Sequence, residues 1–132
     1  MNISTPISTL WHSKRNRDLI KIYSDSFEGR PQNLKSHFKE LNVSTFHCDN
    51  IQPIHEMEQK DFEYIKQIVN TYPNLKVISF HCAHNSLKCF KNKGILYIDG
   101  YCYSKEELKY NMSINIPKIK NILGNIKILI EN

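Results

Sequence analysis

The sequence predicts an α/β fold in which helices cover a parallel β-sheet. Short apolar, β-branched runs alternate with segments of helical periodicity, in the order strand, helix, strand, helix, strand. The runs at 43–47, 76–81 and 126–131 are rich in apolar and β-branched residues, which is typical of parallel strands buried by helices. The 132 residues, 40% of them hydrophobic, correspond to a single domain, 1–132, with a substantial core.

In the first third of the chain, the sequence predicts a short strand and then a segment that fits either a strand or a helix. Residues 6–11 form the predicted first strand. Residues 19–27 fit a strand because of their Ile and Tyr content, and they also fit an amphipathic helical segment, so both alternatives stay open. A helix is predicted over 31–41, since a proline stands at its start and apolar residues recur at helical spacing.

The middle of the chain predicts a strand–helix–strand unit. The strand 43–47 is followed by a helix over 56–72, whose first turns are acidic, as the helix dipole favours. The apolar stripe of this helix contains Phe62, Ile65, Val69 and Tyr72. The strand 76–81 then leads into a less regular stretch, 82–103, which holds one further short predicted strand at 95–98.

The last predicted unit is a helix followed by a strand. Ser104 and Glu107 have the spacing of a capping box that opens the helix. Pro117 is expected to kink or split this helix, and Gly124 is its predicted C-cap. The final strand, 126–131, is apolar apart from Lys127 and the Glu131 near its end.

Charge and composition disfavour two classes of partner, nucleic acids and membranes. The net charge is +5, but only three of the 18 basic residues are arginine, which disfavours binding to nucleic acid. The one dense basic stretch, 13–17, is interpreted as a solvated loop. No apolar run approaches the roughly 20 residues of a membrane-spanning helix, and the amino terminus has no secretory pattern, so we expect no membrane partner and a cytoplasmic location.

The cysteines predict reduced thiols rather than a disulfide framework or a zinc site. Cys48 and Cys82 each follow a strand-ending histidine, and the alternation of a strand directs them to the opposite face, into the core. The stretch 81–89 combines two histidines with Cys82 and Cys89, but its spacing matches no common structural zinc pattern.

Three polar side chains stand where neighbouring parallel strands end. His47 and His81 close two strands of similar sequence, and Glu131 closes the last. Ligand sites of parallel α/β folds lie at this edge of the sheet. A histidine at a strand end more often packs or hydrogen-bonds, yet a carboxylate after an apolar strand is costly to bury unless it is paired or binds a metal. We therefore predict a site for a divalent metal, Zn, Mn, Co or Fe. Further candidate ligands are His12, Asp49, His55 and His84.

The segments "VSTFHCDNIQPIH", "KVISFHCAH" and "IKILIEN" resemble the His, His and Glu-Asn strand ends of xylose isomerase-like TIM barrels. That superfamily contains sugar and sugar-phosphate isomerases and epimerases, and AP endonucleases of the endonuclease IV type. The resemblance spans 43–132. It implies a partial TIM-type (βα) barrel with outer helices, metal ligands at His47, His81 and Glu131, a catalytic proton-transfer role for Glu131, and a sugar-like substrate.

The chain departs from that family in length, because a complete barrel has eight strands and about 250 residues. It is therefore expected to be the N-terminal half of such a barrel, paired with a missing C-terminal half or with a second copy as a homodimer, and to lack a full site when isolated. Three functions stay open: a metal-dependent isomerase or epimerase, an AP endonuclease-like phosphodiesterase, and a non-catalytic remnant or interaction module.

Overall fold

The computed structural model describes residues 4–7, 13–34, 41–82, 85–92 and 95–131. These residues form seven strands, three α-helices and one 3-10 turn at Pro31–Asn33. In chain order the strands and helices are β1 (Ser4–Pro6), α1 (Lys14–Tyr23), β2 (Ser26–Gly29), β3 (Val43–Cys48), α2 (Gln59–Thr71), β4 (Val77–His81), β5 (Ser86–Asn92), β6 (Ile95–Cys102), α3 (Lys105–Leu123) and β7 (Lys127–Glu131).

A five-stranded sheet in the order β1-β2-β3-β4-β7 organises the molecule, and every pair of neighbours in it is parallel. The chain crosses this sheet from one side to the other in sequence order. The antiparallel hairpin β5-β6 forms a separate two-stranded sheet, inserted between β4 and α3. The predicted α/β fold with a parallel sheet is thus confirmed.

One face of the sheet carries the core. Phe46 of β3 and both Ile78 and Phe80 of β4 are buried, and they belong to one cluster with apolar residues of α2 and α3. The helical members of that cluster are Phe62, Ile65, Ile68, Ile119 and Leu123. Helices α2 and α3 therefore cover the same face, and each fully buried side chain contributes about 1.5–3 kcal/mol.

The other face presents the alternate residues of the same strands. It carries Thr45 and His47 from β3, Ser79 and His81 from β4, and Glu131 from β7. The register places His47 opposite Ser79 and His81 opposite Glu131. We call this the open face.

The segment 19–27, which fits either a helix or a strand by its sequence, contains the end of a helix and the start of a strand. Helix α1 continues to Tyr23, and β2 begins at Ser26. The predicted helix 56–72 begins later, at Gln59, because Glu58 and Asp61 form its capping box, in which the Glu58 amide donates to Asp61 Oδ2 at 2.9 Å.

Three expectations need correction, for the first strand, the stretch 82–103 and the helix 31–41. The first strand lies at Ser4–Pro6, earlier than predicted, and residues 8–12 lie outside the described residues. The predicted strand 95–98 is part of β6, which pairs with a second strand, β5, that the sequence does not predict. Within the predicted helix 31–41, Pro31–Asn33 form a 3-10 turn, while 35–40 lie outside the described residues.

Pro117 does not split α3, which runs unbroken from Lys105 to Leu123, with Gly124 as its C-cap as predicted. A proline inside a helix costs about 3 kcal/mol. Contacts made by α3 before and after the proline offset this cost. Before the proline, the Asn115 amide donates to the carbonyls of Pro53 and His55 at 2.9 and 2.7 Å. After it, Ile119 and Leu123 are buried in the core.

Among the described residues, every helix is too short or too polar to span a bilayer.

Candidate metal centre

The three residues that the sequence predicts as metal ligands lie together at the carboxyl edge of the sheet. β3, β4 and β7 are adjacent and parallel, so the strand ends that carry His47, His81 and Glu131 meet at one edge. Side chains alternate along a strand, and the register places all three on the open face. The topology therefore brings together side chains from distant parts of the sequence.

The distances within this cluster are short. His81 Nε2 lies 2.9 Å from His47 Nε2. Glu131 Oε1 lies 3.4 Å from His47 Nδ1, and Glu131 Oε2 lies 3.8 Å from His81 Nε2. One ligand atom from each residue can be chosen so that all lie within 4.8 Å of one another. The side chains of His47, His81 and Glu131 are 14%, 36% and 43% exposed, so the cluster opens to solvent at Glu131.

The two imidazoles meet edge to face, with ring centroids 4.7 Å apart and ring planes at 81°. Two nitrogen lone pairs at 2.9 Å would repel, so one ring donates a hydrogen to the other. A cation placed between the nitrogens would satisfy both lone pairs in the same way. The histidine pair is thus suited to hold either a shared hydrogen or a metal ion.

Glu131 is held in its ionised form. The hydrogen bond from the Ser79 hydroxyl is the main cause that lowers the pKa of Glu131, and the charges of His47 and His81 lower it further, against an opposing effect of desolvation. A carboxylate that stays ionised is available as an anionic ligand for a divalent cation.

Ser79 is not among the residues that the sequence predicts for the site. It is buried, its Oγ lies 3.0 Å from His47 Nδ1, and its hydroxyl is the main cause of the lowered pKa of Glu131. A sequence signal was present, because Ser79 stands two residues before His81 and so shares its face. Its hydroxyl also interrupts an otherwise apolar run.

The further candidate ligands do not join the cluster where the structure describes them. His55 is buried, with its ring stacked on Tyr103 at a centroid distance of 5.2 Å. Asp49 is exposed in the turn after β3. Within the described residues, the one group able to hold a metal consists of His47, His81 and Glu131. His12 and His84 lie outside the described residues.

The three cysteines whose side chains the structure describes, Cys48, Cys82 and Cys102, take no part in this group. Cys48 is buried in the core on the helix-covered side, as predicted, and burial is the main cause that raises the pKa of its thiol to about 12. Burial also raises the pKa of Cys82, which is half-buried. Cys48, Cys82 and Cys102 are free thiols.

Comparison with protein-family models, with characterised proteins and with solved structures gave no match. The resemblance to xylose isomerase-like barrels therefore stays a prediction from the sequence, and the site has to be interpreted from its own geometry.

Proposed function

We propose that His47, His81 and Glu131 bind one divalent transition metal and that this centre is catalytic. The observation that carries the proposal is the 2.9 Å contact between His47 Nε2 and His81 Nε2 beside an ionised carboxylate. Two imidazoles and one carboxylate are the donor set that Zn, Mn, Co and Fe favour.

The spacing of the donors supports this assignment. Metal–nitrogen bonds of about 2.0–2.1 Å place two nitrogens on one ion about 2.9–3.4 Å apart, depending on the coordination geometry. The two imidazole nitrogens are already at the lower end of this range. Small side-chain rotations would complete the site without any change in the sheet.

A catalytic role is favoured over a structural one because the cluster supplies three ligands and opens to solvent at Glu131. Structural zinc sites are closed by four protein ligands, whereas catalytic sites keep a position for water or substrate. Two further predicted ligands, His12 and His84, lie outside the described residues.

The reaction that fits these residues is isomerisation or epimerisation of a sugar or sugar phosphate. A bound divalent ion would polarise a carbonyl or hydroxyl oxygen of the substrate. The Glu131 carboxylate, which is ionised and the most exposed of the three groups, would accept the proton from the carbon next to that carbonyl. Between the two proton transfers Glu131 would hold this proton as a carboxylic acid, and it would return the proton to the neighbouring carbon to complete an isomerisation.

We also propose that the sheet is the first half of a (βα)8 barrel. Its strands follow one another in space in sequence order, as in a barrel, and α2 and α3 cover one face while the open face carries the site. Among the described strands, β7 has β4 as its one partner, and Leu129 and Ile130 of β7 are exposed. A second half, from a second copy or a complementary chain, would cover them.

Sedimentation at micromolar concentration tests this pairing. We expect a dimer or a larger species, because the exposed edge and apolar side chains of β7 favour association. A compact monomer over the whole concentration range would contradict the pairing with a second copy.

Titration with Co2+, followed by its visible absorption, tests the metal centre. The parent chain should bind one ion, and His47→Ala, His81→Ala and Glu131→Gln should each weaken binding at least tenfold. Lys127→Gln is the matched control, since Lys127 lies on the same strand and face as Glu131 but outside the cluster. Equal binding by all four variants would refute the assignment.

Deuterium exchange tests the reaction. With metal bound, the chain should catalyse incorporation of solvent deuterium next to the carbonyl of aldoses, ketoses or their phosphates, and Glu131→Gln should abolish it. Cleavage of an abasic-site oligonucleotide in place of exchange would assign the phosphodiesterase alternative. Metal binding with neither activity would refute the catalytic role.

A further inference from the structure

Ser79 lies between two members of the proposed metal centre. It occupies the middle of β4, with a residue exposure of 7%. Its Oγ is 3.0 Å from His47 Nδ1, and its hydroxyl is the main cause of the lowered pKa of Glu131. The register explains this position, since Ser79 is the direct neighbour of His47 on β3 and precedes His81 by two residues on the same face.

The direction of these hydrogen bonds follows from the chemistry of the groups. Two oxygens face His47 Nδ1, Ser79 Oγ at 3.0 Å and Glu131 Oε1 at 3.4 Å. A carboxylate oxygen accepts, so Nδ1 is the nitrogen that carries the hydrogen, and Ser79 Oγ accepts from it. Neutral His47 consequently carries its hydrogen on Nδ1, and its Nε2 presents a lone pair.

That lone pair is the one the metal centre needs. His47 Nε2 is the atom that lies 2.9 Å from His81 Nε2. Histidines that bind metals commonly donate their other ring N–H to a fixed acceptor, which sets both the tautomer and the ring orientation. In this site, a single hydroxyl fixes the tautomer of one ligand and the orientation of another.

We infer that Ser79 is a positioning residue, which holds His47 as the Nδ1–H tautomer and aligns the Glu131 carboxylate, so that both ligands face the same point. The effect on metal binding depends on the proposed metal centre. The tautomer of His47 does not, because it is a property of the metal-free protein.

A role for Ser79 as a nucleophile fits the geometry less well. The side chain is buried, and with the His47 tautomer inferred above its oxygen accepts from His47 Nδ1 rather than donating to it. Activation of a serine requires the reverse arrangement, in which the base accepts the hydroxyl hydrogen.

Two variants separate positioning from simple packing. Ser79→Ala removes the hydroxyl, whereas Ser79→Thr keeps it and suits a strand. Ser44→Ala is the matched control, because Ser44 is in the same sheet and its Oγ also makes a side-chain hydrogen bond, to Ser26 Oγ at 2.7 Å, away from the cluster.

The first readout is the tautomer of His47 in metal-free protein, measured from its ring 15N chemical shifts. The parent, Ser79→Thr and Ser44→Ala should show the Nδ1–H tautomer, and Ser79→Ala should show a mixture or the Nε2–H form. The second readout is Co2+ affinity, which should fall 10–100-fold in Ser79→Ala and return toward the parent value in Ser79→Thr.

The outcomes distinguish this inference from the proposed function. If the parent binds no metal but Ser79→Ala shifts the tautomer, the metal centre fails and the positioning role stands. If the parent binds metal, and Ser79→Ala keeps both the Nδ1–H tautomer and the parent affinity, the inference is overturned while the metal centre stands. If Ser79→Ala does not fold, a parent in which His47 is the Nε2–H tautomer would overturn it equally.

Discussion

The two faces of the parallel sheet are built from alternate residues of the same strands, yet they differ in chemistry. On the helix-covered face, Phe46, Ile78 and Phe80 are buried against α2 and α3. On the open face, His47, Ser79 and His81 form a polar cluster that opens to solvent at Glu131. The comparison indicates that one face supplies stability and the other supplies the site.

The energies of the two faces differ accordingly. Each buried apolar side chain contributes about 1.5–3 kcal/mol to folding. A partly exposed ion pair such as that between His47 and Glu131 is worth about 0–1 kcal/mol. Substitutions on the two faces should therefore have separable effects, and the following experiments test that separation.

The largest effect on stability is expected on the helix-covered face. Phe80→Ala should lower the free energy of unfolding by about 3–5 kcal/mol, because it leaves a cavity beneath the helices. Ile22→Ala is the matched control, an apolar truncation on the exposed surface of α1, and should change stability by less than about 0.5 kcal/mol. Urea denaturation measures both, and similar losses would contradict the burial of Phe80 in the core.

The reaction rates of two cysteine thiols, one in the core and one at the surface, compare these regions directly. In chains that keep a single cysteine, Cys48 should react with a disulfide reagent about a hundredfold more slowly than Cys102. Cys48 is buried, which raises its thiol pKa to about 12, and its Sγ donates to Asn50 Oδ1 at 3.3 Å, whereas Cys102 is exposed. Both should react at similar rates once unfolded. Equal rates in the folded chains would contradict the burial of Cys48.

Bound metal should raise the free energy of unfolding, and this gain should depend on the ligands of the open face. At a free Co2+ concentration of about 100 times its dissociation constant, the parent should gain about 2.7 kcal/mol of stability, and a chelator should reverse the gain. At the same Co2+ concentration, His81→Ala should gain at most about 1.4 kcal/mol, because it should bind at least tenfold more weakly. Its metal-free stability should stay within about 1 kcal/mol of the parent. An equal gain in the variant would place the metal elsewhere.

The smallest expected effect is the acid dependence of stability due to Glu131. Its pKa lies below the ordinary value, first because Ser79 donates to it and then because of the histidine charges. The ionised form therefore favours folding, with a contribution that is complete above the ordinary pKa and is lost as pH falls through the lowered one. Glu131→Gln should lose less stability than the parent on acidification below about pH 5. Identical acid dependence would contradict this electrostatic account.

The sequence predicts those features of the fold and the site whose signal lies within one short segment of the chain. The strands β3, β4 and β7 are visible as apolar, β-branched runs, and the meeting of His47, His81 and Glu131 follows because the carboxyl ends of adjacent parallel strands share one edge. The sheet order confirms that these strands are neighbours.

The remaining features depend on contacts that sequence periodicity does not encode. Residues 19–27 mix a helical and a strand period within nine positions, so the change from α1 to β2 is hidden. Ser79 is a single hydroxyl in an apolar strand, and its role depends on the register that places it opposite His47. The unbroken course of α3 through Pro117 depends on Asn115, whose amide binds carbonyls far away in the sequence.

We propose that the open face holds a metal between His47, His81 and Glu131. The most direct measurement is an anomalous difference map from crystals grown with Co2+ or Zn2+, collected at the absorption edge of that metal. We expect one strong peak in contact with His47 Nε2, His81 Nε2 and a carboxylate oxygen of Glu131. An empty cluster in which the two imidazole nitrogens stay in direct contact, or a peak held by other residues, would contradict it.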